Sequence, residues 1–389
     1  MKKVNIGLIG SGFAASIHAD SYSRIHGLDI KIKALASLDP KHSNFAEKHC
    51  IPDVTTDYRM LLSDPEIDII DIATPVDQHM SMILQSLEAG KHVICEKPLI
   101  GYCGLPGDVD PIGKTVSKQV MYEHILEGIE KLNMKVRTSG KLFMYAENFV
   151  YAPSIQRSVE ILNSRNSHAM MIRAEEWHSG SHAFHAGRWE FTGGGVLIRM
   201  ACHPLTAALY IKHQTSIKRG KDVTIKKVWA QTANMIERLE EKDLVHICAR
   251  PYDVEDWAKI VVTFSDDTIA DVSCSDFALG GTRNVVDTFS NNCVLHANMS
   301  PNTEVMGYFP DEEGMENIYI AEKVENKSGY QYIYSNEEMT RGYIGEMQDF
   351  TECAAFGREP VCGINLACET VKAIYAGYLS ADKGTQITF

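Results

Sequence analysis

The sequence predicts a doubly wound parallel α/β sheet followed by an α+β unit with an open, mainly antiparallel sheet. Three observations carry that prediction. Apolar strand-like runs alternate with helical patterns over the first 125 residues. A glycine turn, Gly10-Ser11-Gly12, follows the first of those runs directly. From about residue 150, β-rich segments separated by short turns such as Ser265-Asp266-Asp267 replace the alternation.

Val4-Asn5-Ile6-Gly7-Leu8-Ile9 reads as a buried first strand and Ile30 to Ser37 as the second, with later strands at Asp68 to Ala73 and His92 to Cys95. Between them, Phe45 to Lys48 and Met80 to Leu87 have helical spacing, and Gly90 closes the second of these helices. Residues 101 to 115 hold Gly101, Gly104, Pro106, Gly107, Pro111 and Gly113, which predicts a loop with neither strand nor helix, either a lid or substrate loop over the site or a surface insertion. A helix over Met121 to Leu132 and a strand over Lys141 to Ala146 complete a first domain, residues 1–148. In the second, residues 149–389, strands are expected at Val223 to Ile225, Trp257 to Phe264 and Thr268 to Ser273, and closing helices at Glu346 to Ala355 and Ala367 to Ser380.

The chain has 389 residues, 44% apolar and 23% charged, as expected of a globular protein of two domains. A net charge of -13 argues against nucleic acid as a partner, because neutralising phosphates needs a basic surface. Lys218-Arg219-Gly220-Lys221 is too short to change that and reads as a solvated turn. Ten scattered cysteines with no C-x-x-C pair indicate reduced thiols and a cytoplasmic location. Met1-Lys2-Lys3 and the following apolar run imitate a signal peptide, but Asn5 and three glycines interrupt it, so secretion is not expected. No apolar stretch approaches the ~20 residues needed to span a bilayer, so no membrane partner is expected.

The glycine turn sits between a strand and a helical stretch, where backbone N–H groups cradle dinucleotide phosphates. Gly10 permits the turn, Gly12 and Phe13 open the helix, and Ala14 or Ala15 keeps that helix close to the strand. At the end of the second strand, Ser37 and Asp39 face the adenosine ribose, which favours NAD. Lys41 and His42 stand near enough to meet a 2′-phosphate, leaving NADP open. Lys97, in Glu96-Lys97-Pro98, falls at the carboxyl edge of the sheet, where a cation stabilises a developing alkoxide. Gly193-Gly194-Gly195 leads into a predicted helix that brings Arg199 and His203, four residues apart, onto one face near the ligand. His203 is the candidate acid/base. Residues 175 to 189 are rich in histidine and tryptophan. Zinc or manganese at His178, His182 and His185 is set aside because Ser179-Gly180-Ser181 breaks the ligand spacing, so no metal is expected. A polar pocket in which rings stack on a sugar or nicotinamide is the expected role.

Together these segments resemble the Gfo/Idh/MocA family, the glucose-fructose oxidoreductase and inositol dehydrogenase group. The resemblance rests on Gly10-x-Gly12, Ala73-Thr74-Pro75 with His79, Ala89-Gly90-Lys91-His92-Val93 running into Glu96-Lys97-Pro98, and Gly193-Gly194-Gly195 leading to His203. Tyr343-x-x-Glu346-x-x-x-Phe350 and Gly357-Arg358-Glu359-Pro360 are similar to the family's ending. It implies a Rossmann domain, a second domain whose open sheet packs between subunits of a homo-oligomer, and NAD(P)-dependent hydride exchange with a secondary ring hydroxyl of a sugar, glycoside or cyclitol. Oxidation at C3 of a glycoside is one form. Cleavage by transient oxidation and elimination, and non-enzymatic nucleotide sensing, are the alternatives. It also implies Lys97 and His203 as catalytic residues, and Thr74, Pro75, His79 and Glu96 around the ribose and nicotinamide. Trp189 and Tyr343 are expected beside the cofactor, and Asn148, Tyr151, His178, His182 and Arg199 beside the substrate. One departure stands out: Arg199 occupies the place where many members carry an aspartate that orients the histidine.

Overall fold

The computed structural model describes every residue except Pro40, Lys41, His182, Asn302 and Thr303, and leaves out the side chain of His42. The expectations placed on Lys41, His42 and His182 therefore lie outside the described residues.

Strands β1 (Lys2–Ile9), β2 (Leu28–Ala36), β3 (Asp53–Thr55), β4 (Ile69–Ile72), β5 (His92–Glu96) and β6 (Phe143–Ala146) form a parallel sheet in the order β3-β2-β1-β4-β5-β6. β4 and β6 are buried along their whole length, which is why they read as unbroken apolar runs rather than as alternation. The order reverses between β1 and β4, so the carboxyl ends of β1, β4, β5 and β6 open towards one crevice. The helix Phe13–Tyr22 leaves the end of β1, and Ala15 packs it against Leu8 and Leu35.

A second sheet contains β7 (Ala169–Trp177), β8 (Ile225–Ala233), β9 (Trp257–Phe264), β10 (Ile269–Ser275), β11 (Arg283–Ser290) and β12 (Val294–Asn298). A two-stranded ribbon of β13 (Val305–Phe309) and β14 (Gly329–Ile333) follows, and β15 (Ile387–Thr388) returns to pair with β8. The second sheet is mixed: β7 and β10 run parallel, while its other neighbours are antiparallel. The helices Cys202–Lys218 and Ile364–Lys383 are mostly buried and cover its inner face. No single helix among the described residues is long and apolar enough to cross a membrane. All ten cysteines are free thiols.

Three expectations are corrected. The segment 101–115 contains a helical turn, Ile112–Thr115. It is also tied to the rest of the structure: the Tyr102 N–H donates to Tyr375 Oη at 2.6 Å, the Trp189 indole N–H to the Tyr102 carbonyl at 2.9 Å, and the Gly113 N–H to Asp253 at 2.9 Å. Arg199 and His203 do not share a helix. Val196–Arg199 ends one short helix, Cys202–Lys218 begins another, and the path bends by 48° between them. Finally, Gly193-Gly194-Gly195 approaches protein rather than ligand: a Cβ at Gly195 would stand 2.2 Å from the Glu255 carbonyl, and the Glu255 carboxylate accepts from the Gly195 and Leu197 N–H groups.

Gly10 is fixed by its surroundings. Its φ is +109°, and an added Cβ would lie 2.2 Å from the Ala73 carbonyl oxygen, so both the backbone angle and β4 exclude a side chain. Gly10→Ala is expected to destabilise the protein by about 2 kcal/mol or more, read as a lower urea midpoint with an unchanged slope.

Candidate active site

Lys97 follows β5 directly, and its backbone N–H donates to its neighbour Glu96 at 2.9 Å. Its ammonium donates to the Arg199 carbonyl at 3.1 Å, its only hydrogen bond among the described residues. Burial pulls the Lys97 pKa down, but the Cys202 sulfur and the carboxyl groups of Glu176, Glu96 and Glu147 outweigh it and raise the value above that of an ordinary lysine. Lys97 is therefore a cation with donor capacity left over.

Glu147 follows β6, the neighbour of β5, and is fully buried. His203, at the start of the helix Cys202–Lys218, reaches it from the second sheet: Nδ1 lies 2.5 Å from Glu147 Oε1. Phe149 stacks on the imidazole at 5.0 Å with an interplanar angle of 22°. His203 Nε2 has no hydrogen-bond partner among the described residues. Burial, with Lys97 and Arg341 nearby, holds the His203 pKa well below the usual histidine value, and burial pushes Glu147 well above the usual carboxylate value while Lys97 pulls it back. Both shifts favour the uncharged form of each group over a His203–Glu147 ion pair. Glu147, Cys202 and His203 have ligand atoms within 4.8 Å of one another. The 2.5 Å separation of His203 and Glu147 is that of a hydrogen bond, shorter than the roughly 3.3 Å between two ligands of one tetrahedral zinc.

Arg199 is partly buried and its guanidinium is held by Asp276. His178 is neutral. Its Nδ1 accepts the Gly180 N–H at 2.9 Å, and burial pushes its pKa down to about 4, so the 3.6 Å approach of Asp276 is no ion pair. The Asn148 amide donates to the Arg341 carbonyl at 2.8 Å, one residue beyond Glu147. Tyr151 turns away from this cluster: its hydroxyl donates to Asp349 at 2.7 Å and accepts the Cys362 N–H at 3.0 Å. Tyr343 is buried under Arg341 and near enough to feel the Glu96 charge.

On the nucleotide side, Gly12 caps the helix Phe13–Tyr22 with no side-chain acceptor and no acidic residue in the first turn, leaving that end able to receive an anion. A Cβ at Gly12 would meet nothing within 4 Å, and Phe13 and Ala14 flank open space. Ser37 Oγ lies 2.7 Å from Ser11 Oγ and accepts the Asp39 N–H at 3.1 Å, which ties the end of β2 to the glycine turn. These groups fit a dinucleotide. Thr74 and Pro75 border the same edge at the end of β4. His79 differs from expectation: its two ring nitrogens each lie 2.9 Å from a backbone carbonyl, of Pro98 and of Thr74, so it braces the ends of β5 and β4. Trp189 also differs. Lys118 lies 4.1 Å from its ring centroid and Tyr378 4.9 Å, so the indole is packed into protein.

Residues 4–105 match the family described as "Oxidoreductase family, NAD-binding Rossmann fold", and residues 168–296 match "GFO/IDH/MocA C-terminal domain", together more than half of the chain. The chain belongs to the Gfo/Idh/MocA family. It is 40% identical over 99 residues to an uncharacterised oxidoreductase, YrbE, of Bacillus subtilis, a match covering 25% of this chain and 28% of the relative. It is 36% identical over 107 residues to a levoglucosan dehydrogenase of Pseudarthrobacter phenanthrenivorans, covering 25% and 27%. The matched stretch thus spans about a quarter of the length of these curated relatives. GenD2 from gentamicin A biosynthesis, solved in complex with NAD, has the same fold, with a TM-score of 0.79, 20% identity, and 100% and 97% of the two chains covered.

For this Gfo/Idh/MocA member, the sequence reading left three groups without a role: Glu147, Glu176 and the Asp276 partner of Arg199. Glu147 had a visible signal, a carboxylate directly after an apolar run at the carboxyl edge of the sheet. Asp276 had none, because its meeting with Arg199 spans 77 positions.

Below this site, His18 bridges two carboxylates: Nδ1 lies 3.0 Å from Asp71 and Nε2 3.2 Å from Glu96. Tyr22 also donates to Asp71, at 2.7 Å. Burial opposes a charge on His18, but Asp71 and Glu96 prevail and raise its pKa well above the usual value. A raised folded-state pKa stabilises fully below the ordinary histidine range and is lost as pH climbs through the raised value. His18→Gln is expected to cost roughly 3 kcal/mol near pH 6, with the gap to the native protein narrowing in alkali, as measured by urea unfolding across pH.

Proposed function

We propose that the protein is an NAD(P)-dependent oxidoreductase acting on a secondary ring hydroxyl of a sugar, glycoside or cyclitol, glycoside oxidation at C3 among them. The observation that supports it most is the convergence of a partly buried lysine cation and a carboxylate-bound histidine at the edge of a sheet whose glycine turn fits a dinucleotide. Nicotinamide, when bound, supplies the two-electron acceptor or donor for hydride. NAD is the preferred form, with Gly10, Gly12, Phe13, Ala14, Ser37 and Asp39 on its phosphate and ribose side.

In this reading His203 takes the substrate hydroxyl proton at Nε2. In the same reading its own proton is on Nδ1, directed at Glu147, with the Lys97 charge opposing the burial that raises the Glu147 pKa. Glu147 then stabilises the imidazolium that forms. Lys97 donates to the same substrate oxygen and holds it as negative charge develops. The Arg199 carbonyl orients the ammonium, while its guanidinium belongs to Asp276 rather than to substrate.

The outward face of the second sheet supports assembly of a homo-oligomer. Trp229, Val261, Ile269 and Phe289 are incompletely buried there, beside the Arg173–Asp287, Lys259–Asp271 and Arg283–Glu175 ion pairs. Val261→Arg is expected to shift the protein from oligomer to monomer in sedimentation equilibrium, and a monomeric native protein would contradict that assignment.

NADH formation with a panel of glycosides, levoglucosan and myo-inositol tests the activity. Lys97→Met and Glu147→Gln are each expected to lower kcat by about a hundredfold or more, while NADH binding, followed by fluorescence, stays within about twofold of the native protein. Turnover that survives Lys97→Met, or no turnover of any polyol by the native protein, would overturn the reading.

A further inference from the structure

One stretch of the cleft wall has no place in the proton relay. Glu176, near the end of β7, and Asn284, near the start of β11, stand opposite each other in the antiparallel register. Opposed residues of neighbouring strands project to the same face, about 5 Å apart at Cβ. Glu176 is 6% exposed and Asn284 0%. Glu176 Oε2 and both polar atoms of the Asn284 amide have no hydrogen-bond partner among the described residues. Buried polar groups are almost always satisfied in a working protein, and a carboxylate and an amide on one wall are costly to leave bare.

Their place follows from the helix that packs on them. The helix Cys202–Lys218 runs antiparallel to β7, because the Lys212 ammonium donates to the carbonyl of Ala169, the first residue of that strand, at 3.2 Å. The opposite end of the helix, with Cys202 and His203, therefore lies at the Glu176 end of β7. Charge interactions agree, since Glu176 acts on Lys97, Glu147 and Cys202. Burial pushes the Glu176 pKa up to about 7, with Lys97 and Arg341 pulling it back, so the group can accept a hydrogen bond near neutrality.

We infer that Glu176 and Asn284 form a subsite for a second hydroxyl of the substrate ring, in addition to the one that reacts. The chemistry selects that ligand. A hydroxyl gives its hydrogen to Glu176 Oε2 and accepts one from the Asn284 amide nitrogen, so one group bonds to both residues and leaves only Asn284 Oδ1 for a further donor. A phosphate would be repelled by Glu176, and an ammonium would leave the amide N–H groups unpaired. The subsite therefore takes neutral polyols, and it discriminates against a ring that lacks the matching hydroxyl, because the loss leaves a buried carboxylate oxygen unpaired. This inference rests on the proposed oxidoreductase reading for the identity of the reacting hydroxyl.

The test uses binding, so that it does not depend on turnover. NADH-loaded protein is titrated calorimetrically with levoglucosan, myo-inositol, methyl β-D-glucopyranoside and the monodeoxy forms of that glucoside. For the native protein, one monodeoxy glucoside is expected to bind about tenfold more weakly than the parent. Glu176→Gln is expected to lose about the same factor against the parent and nothing further against that analogue. Asn284→Asp, a second isosteric change that places two acids on the wall, is expected to weaken the parent likewise, with near-ultraviolet circular dichroism verifying the fold of both variants. Equal losses of Glu176→Gln across parent and analogues, no loss at all, or no binding of any of these polyols to the native protein would each overturn the subsite. Polyol binding without NADH production from NAD would instead overturn the oxidoreductase reading while leaving the subsite standing.

Discussion

The hydrogen bond between Glu147 and His203 joins the two halves of the molecule at the point where chemistry is expected. One partner ends a strand of the parallel sheet, and the other begins the helix that lines the second sheet. Such a bond forms only if β6 ends at Ala146, the short turn Asn148–Tyr151 places Phe149 against the imidazole, and the 48° bend at Met200–Ala201 swings His203 towards the first sheet. Helices beside the sheets meet these requirements from outside the site. The bend separates His203 from Arg199, so the residue four positions earlier is free of any duty towards the imidazole.

That freedom explains the departure from the family pattern. An arginine beside a catalytic histidine would depress its basicity, yet Arg199 is turned to Asp276 and meets Lys97 only through its carbonyl. A carboxylate still holds the histidine, but it comes from the nucleotide-binding half. The geometry of the His203–Glu147 hydrogen bond therefore depends on how the two sheets are held together. The cleft is correspondingly dense in charge: Lys97 and Arg341 face Glu96, Glu147, Glu176 and Glu322 in surroundings that exclude most water. In such surroundings, each ionic state is set by its neighbours more than by its own chemistry.

The parallel sheet and the nucleotide turn were legible in the sequence because their signals are local. Unbroken apolar strands, Gly10 at a positive φ and Gly90 after its helix each declare a conformation over a few residues. The place of Lys97 directly after β5 was legible because a strand edge is itself a local signal. The misreadings share the opposite cause. Arg199 and His203 have helical spacing, and nothing in four residues announces a break between two helices. Trp189 looked free to stack on a ligand, but Lys118 and Tyr378, distant in sequence, take its ring. Tyr151 looked like a cleft residue, and Asp349 claims its hydroxyl from 198 positions away. Glu176 and Asn284 are readable only through strand register, which pairs residues 108 positions apart.

The most direct test of this account is the protonation state of the His203 ring, read from its imidazole nitrogens by nitrogen-15 nuclear magnetic resonance across the neutral range. The account predicts a neutral ring throughout, with the proton on Nδ1 and Nε2 bare, and loss of that tautomer preference in Glu147→Gln. A ring that titrates near the ordinary histidine value of about 6.5, or one that carries its proton on Nε2, would contradict it.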